Sequence, residues 1–408
     1  MTGSLAAAPW LTAEPSRRLM DVLTAGDIPA RFVGGCVRDA LLGDMRPDVD
    51  LDVATPLRPE DVVARLESAG FKAVPTGIAH GTVTAIVDGR PFEITTLRKD
   101  IACDGRHAEV EFTDDFRADA ARRDFTINAM STDRRGRLVD YFGGEEDLKA
   151  GRIRFVGDAR TRVREDYLRI LRFFRFFARY GRPPVDADAL AACQEEAAGL
   201  ARISGERIRS EMLKLLASRD PVPALEFMIE TKVLAQILAI EVDLVPLARL
   251  IRAVPDSDPL LRLAALLRST GDATSALAAV GRWKLSNAEN ARLERLTRTP
   301  LLDLPLTLHD NLRKIYRLGS DSYLDLLKLS ASSSAEFEAA LPLPAIPPFP
   351  ITGQDLLDRQ VPPGPELGKL LEQLEDWWLE NDLQPDRDAC LHELNRRLGS
   401  GPPPPGNP

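Results

Sequence analysis

The sequence is poor in the residues that cross-link small secreted proteins or bind zinc. Its 408 residues include only four histidines and four cysteines, and the cysteines are scattered: Cys36, Cys103, Cys193 and Cys390. This scatter excludes a disulfide framework and a zinc motif, and it fits a reducing compartment. The chain also lacks an apolar run of about 18 residues and a basic-then-apolar start, so neither a membrane helix nor a signal peptide is indicated. We therefore expect a soluble, cytoplasmic protein without a membrane partner.

An excess of positive charge is missing as well. The net charge is −9 at pH 7, so the overall charge does not indicate nucleic-acid binding, and any basic surface must be local. Arginines are concentrated between Arg152 and Arg179. The alternative interpretation of that segment is an ordinary solvated amphipathic helix. With 44% hydrophobic residues, the chain is long enough for roughly two to four domains.

The most informative stretch runs from residue 32 to residue 55. An apolar strand ends at Gly34 and Gly35, and a short helix with Arg38 follows. Carboxylates then alternate along the chain: Asp48, Asp50 and Asp52. On a strand, carboxylates two residues apart project from one face and repel each other unless a cation lies between them. Oxygen ligands beside a glycine turn indicate Mg²⁺ holding a nucleoside triphosphate, and hence metal-dependent nucleotidyl transfer. The alternative is an edge strand with solvated aspartates.

These motifs resemble those of the polymerase-β nucleotidyltransferase superfamily, and more narrowly the class II tRNA CCA-adding enzymes and bacterial poly(A) polymerases. The resemblance implies an α+β fold, in which a nucleotidyltransferase head with a mixed sheet precedes an all-helical neck, body and tail. It further implies that Asp50 and Asp52 are catalytic and bind Mg²⁺. Gly34, Gly35 and Arg38 would then bind the triphosphate.

Two ways of aligning the family pattern compete for the metal ligands. The family's spacing after the Arg-Asp pair selects Asp48 and Asp50. The family pattern that ends in Ala-Thr, found here at residues 54 and 55, selects Asp50 and Asp52 instead. An insertion in the turn at residues 44–47 reconciles the two, because turns accept insertions more easily than strands. We take Asp50 and Asp52 as ligands and place Asp48 at the lip of the site.

A third acidic residue is expected on a hairpin. β-rich runs at residues 82–87 and 92–97 flank Asp88-Gly89, which is a strong hairpin signal. Glu93 faces the same side as Thr95 on the second strand. The resembled superfamily places its third catalytic carboxylate on such a strand. The alternative for Glu93 is a surface glutamate on a half-exposed strand.

A second family signature spans residues 122–130 and reads Arg-Arg-Asp-Phe-Thr-Ile-Asn-Ala-Met. Asp124 could cap a short helix that carries Asn128. Arginine offers a planar fork to phosphate oxygens, and asparagine can bond a ribose hydroxyl or a phosphate. The resemblance implies that Arg123 contacts the triphosphate and that Asn128 helps to hold the nucleotide. The alternative is a capped helix with solvated arginines.

A third signature contains Asp166, Arg169 and Arg172 within residues 164–172. On a helix, positions three apart share a face, so Asp166 and Arg169 are expected to be neighbours, with Arg172 supporting Asp166 one turn on. An ordinary ion pair is the alternative. In the resembled family this motif binds the base of the incoming nucleotide and replaces a nucleic-acid template. A carboxylate can accept from the exocyclic amine of C or A while a guanidinium donates to a ring acceptor, and G and U present the opposite pattern.

The expected activity is CCA tRNA nucleotidyltransferase, an enzyme that adds C, C and A to tRNA 3′ ends from CTP and ATP. A polar loop at residues 98–107 resembles the flexible loop of family members that add the final A. Poly(A) polymerase or a partial CC- or A-adding enzyme is the alternative, and a catalytically degenerate RNA-binding protein is a third reading. The sequence leaves the oligomeric state open.

Domain boundaries follow from the same patterns. From about Asp158 onward, strand signals stop and apolar residues recur at helical spacing. A Pro-rich link lies near residue 341, and the chain ends in a Pro/Gly-rich segment. We predict five segments, which are a catalytic head, a neck for base recognition, a body, a tail in contact with tRNA, and a disordered end: 1–145, 146–216, 217–340, 341–399 and 400–408.

Overall fold

The structure, a computed structural model, describes residues 5–44, 46, 48–78, 81–103 and 108–399, without the side chains of residues 76, 100–103 and 108–110. The chain forms two compact units. One comprises Met1–Glu241 and Thr274–Ser286, and the other comprises Val242–Ala273 and Asn287–Pro408. The finer division into head, neck, body and tail stays a prediction.

The described part of the head contains a mixed sheet and a separate hairpin. The strands are β1 Arg31–Val33, β2 Asp52–Thr55, β3 Lys72–Gly77, β4 Thr82–Val87, β5 Arg90–Thr96, β6 Arg98–Cys103, β7 Ala108–Phe112, β8 Ser131–Thr132 and β9 Leu138–Val139. The sheet has the order β3-β4-β5-β2-β1-β8-β9, and β6 pairs with β7 alone. The pair β2–β5 is parallel and its neighbours are antiparallel. This arrangement places β2, which follows the predicted acidic segment, in the middle of the sheet.

The hairpin of β4 and β5 is confirmed. Asp88 and Gly89 both have positive φ, at 51° and 79°, as a two-residue hairpin turn of type I′ requires. Val83, Ala85 and Val87 are buried while the residues between them are partly exposed, which is the expected period of two. The turn and this alternation together fix which face of β5 carries Glu93.

Short helices flank the sheet. In chain order they are α1 Pro9–Thr12, α2 Glu14–Leu23, α3 Gly35–Leu41, α4 Pro59–Ser68, α5 Phe116–Ala121 and α6 Gly144–Ala150. The helix α4 begins with Pro59, has Glu60 and Asp61 in its first turn and Arg65 in its last, so its charges follow the helix dipole.

Helices make up most of the remainder, as the α+β prediction requires. They are α7 Ala159–Glu165, α8 Leu168–Tyr180, α9 Ala187–Glu195, α10 Gly205–Leu216, α11 Val222–Glu230, α12 Val233–Leu238, α13 Val245–Ala253, α14 Pro259–Arg268, α15 Ala273–Val280, α16 Asn287–Arg298, α17 Leu308–Leu318, α18 Ser320–Ser330, α19 Ser334–Ala339, α20 Gly353–Leu357, α21 Pro365–Glu380 and α22 Arg387–Arg397. No helix in the described part of the chain is long and apolar enough to cross a membrane.

An aromatic cluster holds α8 against the segment that follows α5. The ring of Phe125 lies 5.2 Å from that of Phe176 and 4.7 Å from that of Phe155, and Phe155 stacks on Phe173 at 6.0 Å. Buried aromatic pairs of this kind stabilise a fold by more than the burial of their apolar area alone. The cluster fixes α8 beside the residues that the second signature contributes to the site.

The second unit has its own apolar core. Trp378 is buried there, with its ring 5.5 Å from that of Tyr316 and 5.3 Å from that of Phe349. Its indole N–H donates to the carbonyl of Pro385 at 3.0 Å. Trp378 is therefore a core residue of this unit.

Candidate active site

An acidic edge forms where β2 meets β5. Asp52 is the first residue of β2, and in the parallel register it lies opposite Glu93. The backbone N–H of Glu93 donates to the carbonyl of Leu51 at 3.0 Å, which extends the pairing toward Asp50. Asp50 itself precedes the strand and is exposed, so the acidic alternation only partly belongs to regular β-structure.

The electrostatics of this edge are those of a site for a cation. Burial, together with the charges of Glu93 and Asp50, raises the pKa of Asp52 to about 6, although Arg123 opposes the shift. Asp48, Asp50, Asp52 and Glu93 line one cleft of about 740 Å³. The four carboxylates therefore share one space.

The donor set fits Mg²⁺ better than a softer metal. The ligands on offer are carboxylate oxygens, and Mg²⁺ typically takes one or two carboxylates together with water and substrate phosphates. Within the described residues, no group of three or more His, Cys, Asp or Glu side chains could hold a metal ion alone. A magnesium ion at Asp50 and Asp52 would thus need oxygens from substrate and water.

The glycine turn after β1 brings the acidic edge close to Arg123. Gly34 has φ of +77° and donates its N–H to the carbonyl of Met130 at 3.1 Å. A Cβ at Gly34 would lie 3.3 Å from Arg123 Nη1 and 3.9 Å from Asp52 Oδ2. Glycine is therefore required here both for its backbone conformation and for the close approach.

Arg38, on α3, is buried among polar and aromatic partners. Its Nη1 donates to Asn128 Oδ1 at 2.5 Å, and its Nε donates to Asp39 Oδ1 at 2.8 Å. The ring of Tyr180 lies 4.5 Å from the guanidinium, and the Tyr180 hydroxyl donates to the same oxygen of Asp39 at 2.9 Å. A buried arginine held from several sides is preorganised for an anion. An added Cβ at Gly35 would lie 3.6 Å from Arg38 Nη2, so the guanidinium borders the glycine turn.

A buried carboxylate links the second signature to α8. Asp124 accepts from Asn128 Nδ2 at 3.0 Å and from Arg172 Nε at 2.7 Å. Burial by itself would raise the pKa of Asp124, but Arg172 and the hydrogen bonds from Asn128 and the Phe125 N–H outweigh it and hold the pKa below its usual value. The prediction that Asp124 caps a helix was wrong. Arg172 donates its hydrogen bond to Asp124 and interacts with Asp166 only through charge, so its support of Asp166 is weaker than predicted. Asp124 instead joins Asn128 to Arg172, because the chain brings α8 back onto this turn.

The sequence analysis predicted that Asp166 and Arg169 form a pair on one helical face, and this prediction was wrong. Asp166 lies outside regular helix, between α7 and α8, with φ of −153° and ψ of 106°. Its Oδ1 accepts from the Leu168 N–H at 3.0 Å, and its Oδ2 accepts from Arg207 Nη2 at 2.6 Å. Arg169 Nη1 donates to Glu165. The two side chains therefore have separate partners, although they line the same cavity.

That cavity, of about 610 Å³, is lined by all eight predicted nucleotide-binding residues: Gly34, Gly35, Arg38, Arg123, Asn128, Asp166, Arg169 and Arg172. Asp52 lines both this cavity and the acidic cleft. The cavity also contains residues that sequence reasoning did not assign to the site, among them Arg122, Arg207 and Phe176. Arg122 belongs to the second signature, whereas nothing local marks Arg207 because its partner is 41 residues away.

The predicted polar loop at residues 98–107 is mostly a hairpin. Arg98–Cys103 and Ala108–Phe112 pair antiparallel, with Arg98 opposite Phe112. Residues 104–107 lie outside the described residues. The loop's comparison with A-adding enzymes therefore stays a prediction.

The mixed sheet, its acidic edge and the adjoining arginine-lined cavity define a nucleotidyltransferase. Comparison with known families agrees with this class. The sequence model described as "Poly A polymerase head domain" matches residues 30–154, and that described as "Probable RNA and SrmB- binding site of polymerase A" matches residues 184–241.

Full-length relatives narrow the class. The mitochondrial CCA tRNA nucleotidyltransferase 1 of Danio rerio is 38% identical, over 93% of this chain and 90% of the relative. The enzyme of the same name from Homo sapiens is 36% identical, over 95% and 91%. The Bacillus stearothermophilus CCA-adding enzyme, solved in complex with CTP, superposes with a TM-score of 0.76 at 28% identity, over 95% of this chain and 99% of that one. The chain belongs to the family of CCA-adding tRNA nucleotidyltransferases.

Proposed function

We propose that this protein adds C, C and A to the 3′ ends of tRNAs from CTP and ATP, without a nucleic-acid template and with release of pyrophosphate. The observation that carries the proposal is the position of Asp52, which lines both the acidic cleft and the arginine-lined cavity. Nucleotidyl transfer needs that junction, because the attacked α-phosphate must lie between the carboxylates and the groups that hold the other phosphates.

The acidic edge is the proposed metal site. Asp50 and Asp52 would hold Mg²⁺, with Glu93 completing the acidic set from the neighbouring strand. Bound Mg²⁺ supplies activation of the attacking 3′-hydroxyl and charge stabilisation for the departing pyrophosphate. The carboxylates would hold the metal ion in position. Of Asp50, Asp52 and Glu93, only Asp52 lines both the acidic cleft and the nucleotide cavity, so it would be the ligand nearest to the nucleotide.

The triphosphate would bind to the turn after β1 and to the arginines around it. Gly34 and Gly35 leave room for phosphate oxygens close to the backbone. Arg38 is held in place by Asn128 and Asp39, so little side-chain entropy remains to be lost when phosphate binds. Arg123 lies across the same turn from Arg38 and would contact the phosphates nearest to Asp52.

Asp166 and Arg169 would bind the base. Arg172 would hold Asn128 in position through their shared partner Asp124. The hydrogen bonds that Arg169 makes to described residues leave from Nη1, to Glu165 and to the Arg162 carbonyl, so Nε and Nη2 can donate to a base. Each Asp166 oxygen accepts one hydrogen bond and retains a further lone pair for an exocyclic amine. This donor and acceptor pair matches C and A and mismatches G and U.

The test is metal-dependent incorporation of labelled CTP and ATP into tRNA that lacks its 3′ CCA. We expect incorporation with Mg²⁺, none after chelation, and a loss of roughly a thousandfold for Asp52→Ala that added metal does not restore. Tight tRNA binding with no incorporation would instead favour a degenerate RNA-binding protein. The cytoplasmic location is part of the proposal, and cell fractionation tests it, since some relatives are named mitochondrial.

A further inference from the structure

The side chain of Arg162 connects three parts of the site. It is on α7 and only 11% exposed. Its Nε donates to the carbonyl of Val156 at 3.2 Å, and its Nη2 donates to the carbonyl of Ala121. Its Nη1 donates to both oxygens of Glu165, at 2.7 Å from Oε1 and 2.5 Å from Oε2. Ala121 ends α5 and directly precedes Arg122 and Arg123. One guanidinium thus joins the segment that leads into the phosphate-side arginines to the helix that leads into the base-side residues.

Glu165 is shared between two arginines. Besides Arg162, it accepts from Arg169 Nη1, and the same nitrogen of Arg169 donates to the Arg162 carbonyl at 2.9 Å. Arg162 therefore acts on Arg169 in two ways, through its own carbonyl and by occupying part of the Glu165 carboxylate. Both anchors hold one nitrogen of Arg169 and leave the rest of its guanidinium for the cavity.

We infer that Arg162 is a positioning residue for base selection: it holds Glu165 so that Arg169 is bound by one nitrogen and presents the others to the incoming base. The inference rests on the proposed function, since it assumes that Arg169 reads a base. Without Arg162, both Glu165 oxygens become available to Arg169. A guanidinium and a carboxylate prefer the bidentate arrangement, which would occupy a second Arg169 nitrogen and turn it away from the base.

The helix provides a matched control. Arg164, two residues further on α7, is 60% exposed and pairs with Glu196 at 2.7 Å rather than with Glu165. Arg164→Ala removes the same charge from the same helix without touching the shared carboxylate. Arg162→Lys is the second test variant, because it keeps the charge but cannot supply the fork that reaches Val156, Ala121 and Glu165 together.

The experiment measures single-nucleotide incorporation rates for CTP, ATP, UTP and GTP with the full-length protein and saturating tRNA. For Arg162→Ala we expect the preference for the cognate nucleotide over UTP and GTP to fall about tenfold, the lower range for one base contact. Arg164→Ala should keep the wild-type preference. For Arg162→Lys we expect an intermediate preference, and this variant decides the matter if Arg162→Ala does not fold.

Equal loss of all four rates in both Arg162 variants would overturn the inference and make Arg162 a purely structural residue, while the proposed function would stand. A different result would be a wild-type protein that shows no preference for CTP and ATP over UTP and GTP. That result would overturn the proposed function, and this inference with it.

Discussion

Asp52 and Glu93 lie side by side at the same level of the parallel strands β2 and β5. Burial of Asp52, together with the charges of Glu93 and Asp50, raises the pKa of Asp52 to about 6, even though Arg123 opposes the shift. In the folded protein the ionised form of Asp52 is therefore less stable than it would be in water. A bound cation would remove that disadvantage, and this explains why the arrangement is useful to an enzyme although it costs stability.

Replacing Asp52 should therefore stabilise the metal-free protein. The pKa of Asp52 is about 6 in the fold and roughly 3.9 in the unfolded chain, so ionisation above pH 6 lowers the free energy of unfolding by roughly 2–3 kcal/mol. Below about pH 4 the group is protonated in both states and the penalty is gone. We expect Asp52→Asn to be more stable than the wild type at pH 7.5 and the difference to shrink as pH falls from 6 to 4.

Urea unfolding in a chelator, at several pH values, measures this difference. Adding Mg²⁺ should narrow it by stabilising only the wild type. A destabilised Asp52→Asn protein at pH 7.5 would contradict the electrostatic account of the acidic edge.

The choice of metal ligands can be tested by single substitutions along the acidic segment. Asp50→Ala and Asp52→Ala should each lower incorporation by roughly a thousandfold, because a metal ligand contributes several kcal/mol to transition-state stabilisation. Asp48→Ala should keep most of the activity, since we place Asp48 at the lip. Steady-state rates with CTP give the answer. An inactive Asp48→Ala with an active Asp52→Ala would show that the metal pair is Asp48 and Asp50.

The buried pair of Asp124 and Arg172 should contribute to stability. Asp124→Asn leaves the Arg172 guanidinium without its charged partner and should lower the free energy of unfolding by roughly 3 kcal/mol at pH 7. Because the pKa of Asp124 is lowered in the fold, the wild-type advantage is present above the unfolded pKa of roughly 4 and is lost as pH falls through the folded value. Denaturation at pH 7 and at stepwise lower pH checks this trend.

Asp114→Asn is the matched control, because Asp114 is exposed in the same region. It should leave the stability unchanged. Equal stability of Asp124→Asn and the control at pH 7 would mean that the pair contributes nothing.

The proposed separation of base recognition from phosphate recognition predicts that variants of the two groups differ in their effect on nucleotide selectivity. Asp166→Ala should narrow the preference for C and A over U and G by roughly ten- to a hundredfold, the worth of one good base contact. Arg38→Ala should weaken all four nucleotides about equally, because every one of them carries the triphosphate. Incorporation rates for the four nucleotides with both variants make the comparison. Should Asp166→Ala depress each nucleotide by the same factor, Asp166 is a structural partner of Arg207 and no template.

Local patterns in the sequence predict the head better than they predict the partners of the site residues. The hairpin and the face of Glu93 follow from the period of two and from Asp88-Gly89, both of which are local. The prediction that Asp166 pairs with Arg169 on a helix was wrong because the chain leaves the helix at Asp166. Tertiary structure brings Arg207 to Asp166 instead. The strand β6, at Arg98–Cys103, was predicted to be part of a loop because its polar composition hides the strand pattern.

The most direct test of the account is the sequence of the product. A tRNA that ends before its CCA is incubated with the protein, Mg²⁺ and all four nucleoside triphosphates, and the extended 3′ ends are sequenced. The account predicts the addition of C, C and A in that order, followed by a stop. A homopolymeric A tail, a product that ends at CC, or random addition would contradict it.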